Sequence, residues 1–294
     1  MKLTDLIGNT PLVEITRIWK NPKVKIYGKL EGHNPGGSVK DRAAYGMLSG
    51  AMERGDIAKG DKLVEATSGN TGIALAMIAN LLGVKMTLIM PESATQERRQ
   101  TMKAFGAELI LTPAEKTIEY SRTLAEEMSR DQGYFMLNQF GNPDNWKMHY
   151  RTTGPEIWND TEKKVTHFVS AMGTTGTIMG VSRYLKEQNS KVQIVGTQPK
   201  DGSRIPGIRR WSPEFLPKIF EADRVDRVID VGQDEATVMA RRLAAEEAIF
   251  SGMSSGGALT AALQIAEELE SGCIVFIVCD RGDRYLSSPL FESI

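Results

Sequence analysis

Short apolar runs alternate with amphipathic helical stretches along the whole of this chain. The run Ile274-Val275-Phe276-Ile277-Val278 has no polar interruption. A strand with one wet face alternates apolar and polar residues, so an unbroken run of strand length fits burial on both faces. The periodicity predicts strands over residues 24–30, 62–66, 85–90, 108–111, 135–137, 167–171, 193–197 and 273–278. Between them it predicts helices over 41–54, 73–82, 95–105, 118–130, 178–187 and 235–247, and one from 254 to about 269. Strand–helix alternation on this scale means an α/β fold with mainly parallel sheet. Near the start, Ile7-Gly8-Asn9-Thr10-Pro11-Leu12 reads as a turn into an extended segment. Asn142-Pro143-Asp144-Asn145 reads as a turn and a domain hinge, and 199–217 as a long irregular stretch of the kind that carries function.

Composition narrows the classes of function. Apolar residues make up 41% and charged residues 25% of 294, the balance of an ordinary globular protein. Net charge is −1 with no basic stripe, which argues against a nucleic-acid partner. The segment Met1-Lys2-Leu3-Thr4-Asp5 leads into no long apolar stretch, so neither a signal peptide nor a membrane span is expected. Cys273 and Cys279 flank one predicted strand, about 20 Å apart along it and beyond disulfide reach. A cytoplasmic location is the resulting expectation. His33, His149 and His167 have no metal-ligand spacing, so no metal site is expected.

Four stretches carry candidate chemistry. In His33-Asn34-Pro35-Gly36-Gly37-Ser38-Val39-Lys40-Asp41-Arg42, a glycine-rich turn hands one lysine to a helix start, with Ser38 placed to cap it. Such a lysine is either a solvated surface residue or an amine held in place to form an imine with a carbonyl. Gly173-Thr174-Thr175-Gly176-Thr177 follows a predicted strand and opens a helix, where free N–H groups and hydroxyls suit a phosphate, although a ligand-free turn has the same pattern. It is neither a dinucleotide fingerprint nor a Walker loop. Thr67-Ser68-Gly69-Asn70-Thr71 crowds similar donors at another junction and fits either a carboxylate or helix capping. Ser254-Ser255-Gly256-Gly257, taken alone, is a helix cap.

Together these motifs resemble the fold-type II pyridoxal-phosphate enzymes, the tryptophan synthase β-like group, and within them the cysteine synthases (O-acetylserine sulfhydrylases). The resemblance runs from Ile7 to Ser287. Arginines in Ile205-Pro206-Gly207-Ile208-Arg209-Arg210-Trp211, together with Cys279-Asp280-Arg281-Gly282-Asp283-Arg284-Tyr285, are similar to the B type, which uses thiosulfate as well as sulfide. An arginine gives a physical reason to admit an oxyanion, although Arg209 and Arg210 would equally serve as surface ion pairs.

The resemblance implies two open, twisted, mostly parallel sheets flanked by helices. Residues 35–142 would form a smaller mobile domain, and 1–34 with 143–294 a larger cofactor-binding domain, with the active site between them. It implies pyridoxal 5'-phosphate as cofactor, bound through Lys40, which also serves as the catalytic base. Gly173, Thr174, Thr175, Gly176 and Thr177 would hold the phosphate, Asn70 the ring hydroxyl oxygen, and Ser254 the pyridine nitrogen. Thr67, Ser68, Gly69, Thr71 and Gln139 would meet the substrate carboxylate, with Gly207, Arg209 and Asp280 further substrate contacts. The reaction implied is β-replacement of acetate in O-acetyl-L-serine by sulfide or thiosulfate, through an aminoacrylate, in a homodimer. Other β-replacement or β-elimination enzymes, a catalytically silent sensor, and a Rossmann dehydrogenase are the rival readings.

Overall fold

The strand β10 (Gly272–Val278) shows why its sequence has no polar break. In the computed structural model, which describes residues 1–292, it lies between β2 (Val24–Leu30) and β7 (His167–Ala171), parallel to both. Ile274, Phe276 and Val278 enter one apolar core, and Val275 and Ile277 enter another on the opposite face. The sheet continues through β8 (Gln193–Pro199) to β9 (Arg227–Val231), and β1 (Leu12–Glu14) closes its other edge as the antiparallel strand.

A second sheet, wholly parallel, has the order β5 (Glu108–Thr112), β4 (Lys85–Pro91), β3 (Lys62–Ala66), β6 (Phe135–Met136). Its core is filled from α1 (Lys40–Glu53) by Ala44, Met47, Leu48 and Ala51, and from α2 (Asn70–Leu82) by Ile73, Leu75 and Ile78. Each large apolar side chain so buried contributes roughly 1.5–3 kcal/mol. α2 is buried along most of its length, and its last turn stops at Gly83, whose φ of 76° is left-handed. The remaining helices are α3 (Gln96–Ala104), α4 (Thr117–Asp131), α5 (Pro143–Arg151), α6 (Thr153–Asp160), α7 (Gly176–Gln188), α8 (Gln233–Glu247) and α9 (Met253–Glu267). No helix among the described residues is long and apolar enough to cross a membrane.

The structure departs from the sequence reading at four places. Residues 142–145 are a helix start: Asn142 caps α5 by accepting the Asp144 N–H at 2.9 Å, with Pro143 in the first turn. α6 and the edge strand β9 were not anticipated. The donor-rich junctions belong to the helices, since α2 begins at Asn70 and α7 at Gly176. Lys40 is itself the first residue of α1, and Ser38 supports it by accepting the Lys40 N–H at 3.2 Å.

α1 is anchored by ions. The fully buried Arg42 guanidinium donates to Glu31 at 2.7 and 2.8 Å and to Glu156, on α6, at 2.7 Å through two nitrogens. Buried Lys29 joins at 3.0 Å from Glu156 and 2.8 Å from Asp160. Burial alone would raise both glutamates, but the charge and hydrogen bonds of Arg42 outweigh it. They hold Glu31 below its usual range and Glu156 at about 2.

Arg42→Met leaves Glu31 buried without its cation, and a loss of about 3–5 kcal/mol in urea denaturation at pH 7 is expected. The sign with pH follows from depressed carboxyl values. The stabilisation is present above the ordinary value of 4.5 and disappears as pH falls toward about 2, so wild type and variant should converge over that window.

Candidate active site

The carboxyl ends of β3, β7 and β10 open on one cavity of about 310 Å³. Its walls include Lys40, Thr67, Ser68, Gly69, Asn70, Thr71, Gln139, Gly173, Thr174, Thr175, Thr177, Gly207, Arg209, Ser254 and Asp280. Of the site residues that the resemblance implies, only Gly176 stands behind the wall, in the first turn of α7. Ligands of open α/β sheets bind at this end of the strands.

Lys40 reaches the cavity because the turn before it is stitched to the end of β10. The Val39 N–H donates to the Cys279 carbonyl at 2.8 Å, and Ser38 bridges to Asp280. Gly37 has a φ of 79°, and a Cβ on Gly36 would lie 2.6 Å from the Asp41 carboxylate, so the two glycines are demanded by the turn. Asp41 accepts the Gly36 N–H, and burial pushes its carboxyl up to about 7.

Opposite Lys40, residues 173–177 present a left-handed Thr175 (φ 68°) and the N-terminus of a 13-residue helix. The Thr175 hydroxyl is buried and has no hydrogen-bond partner among the described residues. The loop is backed by α5, which the sequence reading missed. Asn145 Nδ2 donates to the Gln139 carbonyl at 2.8 Å and to the Thr174 hydroxyl at 3.2 Å. His149 lies between the hydroxyls of Thr153, at 2.8 Å, and Thr177, at 3.3 Å. Burial, helped by the charge of Arg42, lowers His149 to about 3, so it works as a neutral ring. Asn145 and His149 sit four apart on one helical face, a spacing visible in the sequence once 143–151 is read as a helix.

At the start of α2, the Thr71 hydroxyl donates to Gln139 Oε1 at 2.9 Å. Asn70 donates to Asp280 at 2.7 Å and accepts from Arg284. Asp280 also accepts the Tyr285 hydroxyl at 2.6 Å. Ser254 is not a helix cap: Gly252 precedes α9, and Ser254 lies buried in its first turn. Ser255 instead accepts the Cys279 N–H at 3.0 Å. The two arginines of the irregular stretch part company. Arg210 pairs with Asp201 and Asp230 at the surface, whereas Arg209 lies over the Trp211 ring, 5.3 Å from its centroid, at the cavity. Arg98 and Arg122, also unanticipated, line the same cavity over Tyr285 and Phe140. No group of His, Cys, Asp and Glu among the described residues could hold a metal.

A family model described as "Pyridoxal-phosphate dependent enzyme" matches residues 3–280. The chain belongs to the pyridoxal-phosphate dependent enzymes. It is 58% identical to cysteine synthase B of Pseudomonas aeruginosa, over 99% of this chain and 97% of that one. It is 55% identical to cysteine synthase B of Escherichia coli, over 98% and 95%. Among solved structures, O-ureido-L-serine synthase superposes with a TM-score of 0.93 at 36% identity, over 99% of this chain and 95% of that one. O-acetyl serine sulfhydrylase isoform 3 of Entamoeba histolytica gives 0.93 at 37% identity, over 100% and 92%. The fold-type II architecture of two mostly parallel sheets is therefore present, and the cofactor is pyridoxal 5'-phosphate.

The residues at hand fit that cofactor. An unpartnered buried hydroxyl, three threonines and a helix N-terminus make a dianion site. A lysine stands across the same cavity. The close packing behind the loop makes a test. A Cβ on Gly176 would lie 2.0 Å from Asn145 Oδ1, so Gly176→Ala must push Asn145 off Thr174. Titration of the cofactor-free protein should show affinity for pyridoxal phosphate lower on the order of tenfold, about 1.4 kcal/mol. Unchanged affinity would mean that Asn145 gives way freely.

Proposed function

We propose that the protein makes L-cysteine from O-acetyl-L-serine and sulfide, and S-sulfocysteine from thiosulfate, as a B-type cysteine synthase. The observation that carries this is the convergence of Lys40 with three donor-rich junctions in one cavity, in a chain 55–58% identical to cysteine synthases B.

Lys40 would hold the cofactor through its aldehyde carbon, and the same amine would take the proton from the substrate Cα and return one at the end of the cycle. When bound, the cofactor supplies a conjugated electron sink next to that carbon. Residues 173–177 hold the phosphate with backbone N–H groups and hydroxyls, so no lysine or arginine is spent there. Thr67, Ser68, Gly69, Thr71 and Gln139 bind the substrate carboxylate at the start of α2, where the helix dipole favours an anion. Asn70 meets the ring hydroxyl oxygen. Ser254 offers the ring nitrogen a neutral hydroxyl in place of a carboxylate, which leaves the ring a weaker sink and favours loss of the β-substituent over transamination. Arg209, with Gly207 and Asp280 beside it, receives the second substrate, and its cation suits the dianion thiosulfate.

The proposal extends to the rest of the molecule. Residues 35–142 act as a smaller domain that closes over the substrate. The working form is a cytoplasmic homodimer whose partners are small molecules, with neither nucleic acid nor membrane involved.

Adding O-acetyl-L-serine to the purified holoprotein should shift its visible band, and either sulfide or thiosulfate should restore it. Lys40→Ala should lower turnover by at least about 100-fold. Arg209→Ala should lower kcat/KM for thiosulfate by roughly 10- to 100-fold, the value of a charge-assisted hydrogen bond, and leave sulfide within about twofold. Restoration by sulfide alone would reduce Arg209 to a rim residue. Structures with and without a bound amino-acid carboxylate should differ by rotation of residues 35–142; superposition without rotation would remove the closure.

A further inference from the structure

Glu65 is a buried carboxylate on β3 between the apolar Val64 and Ala66. An ionisable group in such a place is costly unless it is hydrogen-bonded, so its partners show what it does. β6 pairs with β3 through Leu63 beside Phe135 and Val64 beside Met136, and there the ladder ends. The next step of the register sets Glu65 against the chain as it leaves the sheet. Its Oε2 accepts the Asn138 N–H at 3.1 Å, and the backbone of the flanking residues Leu137 and Gln139 favours its charged form. The carboxylate thus stands in for the missing strand. It holds a turn in which Asn138 is left-handed at φ 55°, a conformation that does not persist unaided. The side chain that emerges from this turn is Gln139, whose Oε1 receives the Thr71 hydroxyl. One residue past Ala66, β3 itself runs into Thr67 and the rest of the donor junction. A single strand residue therefore sets both halves of the carboxylate subsite relative to each other. Burial pushes the Glu65 carboxyl up to about 7, against the pull of the backbone of residues 137–139 and of Arg122.

We propose that Glu65 is a positioning residue for the amino-acid substrate: by holding the backbone of residues 137–139 to β3, it places Gln139 against Thr71 so that the two bind the substrate carboxylate together. The inference rests on the assignment of Thr71 and Gln139 to that carboxylate.

The test uses the holoprotein with Glu65→Gln, Glu65→Leu and, as reference, Thr71→Val. Glutamine has one acceptor oxygen and an NH2 where the carboxylate offers two acceptors to the backbone of residues 137–139, the Asn138 N–H among them. Glu65→Gln should raise the KM for O-acetyl-L-serine and the dissociation constant for L-alanine, which has no β-leaving group, on the order of tenfold. Saturating kcat, the KM for sulfide and the affinity for pyridoxal phosphate should stay within about twofold, the split expected when ground-state binding alone is lost. Glu65→Leu should do the same more strongly; if it does not fold, Glu65→Gln decides. Equal losses in cofactor affinity, kcat and substrate binding would overturn the proposal, because the carboxylate would then serve the fold at large. A KM raised by Thr71→Val alone overturns the role of Glu65 and leaves the subsite standing. A KM moved by neither variant overturns the subsite assignment as well. A KM raised by Glu65→Gln alone overturns the route through Thr71.

Discussion

Everything at the mouth of the cavity depends on where α1 begins, and Arg42 sets that. Its guanidinium is shared between Glu31, just past the end of β2, and Glu156 on α6. Three separate parts of the chain are thereby locked two residues downstream of Lys40. Buried ion clusters of this kind are seldom better stabilisers than apolar groups of the same volume, because desolvation offsets the attraction. What they provide here is direction: five N–H donors in a rigid fork accept few arrangements of two carboxylates. An apolar cluster would let the first turn of α1 slide by a fraction of an ångström. A lysine with the role proposed for Lys40, meeting both a cofactor carbon and a substrate proton, cannot tolerate that. The same cation bears on His149, where its charge adds to burial in keeping the ring neutral behind residues 173–177.

The site divides its work by type of charge. At residues 173–177, the proposed seat of the cofactor phosphate, the donors are backbone N–H groups, hydroxyls and a helix end. These are held by packing and need no long side chain to be ordered. Elsewhere on the cavity wall, Arg98, Arg122 and Arg209 stand over aromatic rings. Rings support a guanidinium without neutralising it. Arg210, next in sequence to Arg209, lies in ion pairs and shows the alternative.

Strands were legible in the sequence wherever an apolar run was bounded sharply: residues 24–30, 62–66 and 167–171 stand as read. The edge strand β9 was not legible, because Arg227 and Asp230 give it a polar, exposed character. α5 was lost because an Asn-Pro-Asp-Asn start satisfies turn chemistry as well as helix capping, and only the partners of the side chain separate the two. The site residues read from sequence are those on junctions whose composition is itself unusual. Asn145, His149, Arg284 and Glu65, which bond to the junctions or to the turn before Gln139 from neighbouring elements, look like ordinary helix, loop and strand residues. Their meaning comes from register and packing that no local pattern encodes.

A knot of hydrogen bonds joins the two sides of the cavity and limits how the site can close. Asn70, at the start of α2, is bound to Asp280 and Arg284 beyond β10, and Arg284 also donates to the Gly36 carbonyl. If residues 35–142 turn as one domain, these bonds lie close to the pivot, because they survive only where displacement is small. Ser68 and Gly69 lie just before that anchor and are less constrained: a Cβ on Gly69 would meet nothing within 4 Å. Under the closure proposed above, the freer part of the junction, Ser68 and Gly69, would move while Asn70 stays in place; Thr67 is buried and its N–H is held by the Ile89 carbonyl at 3.0 Å. On the proposed roles, the element assigned to the cofactor ring and the element assigned to the substrate are adjacent in sequence, yet only the second need move.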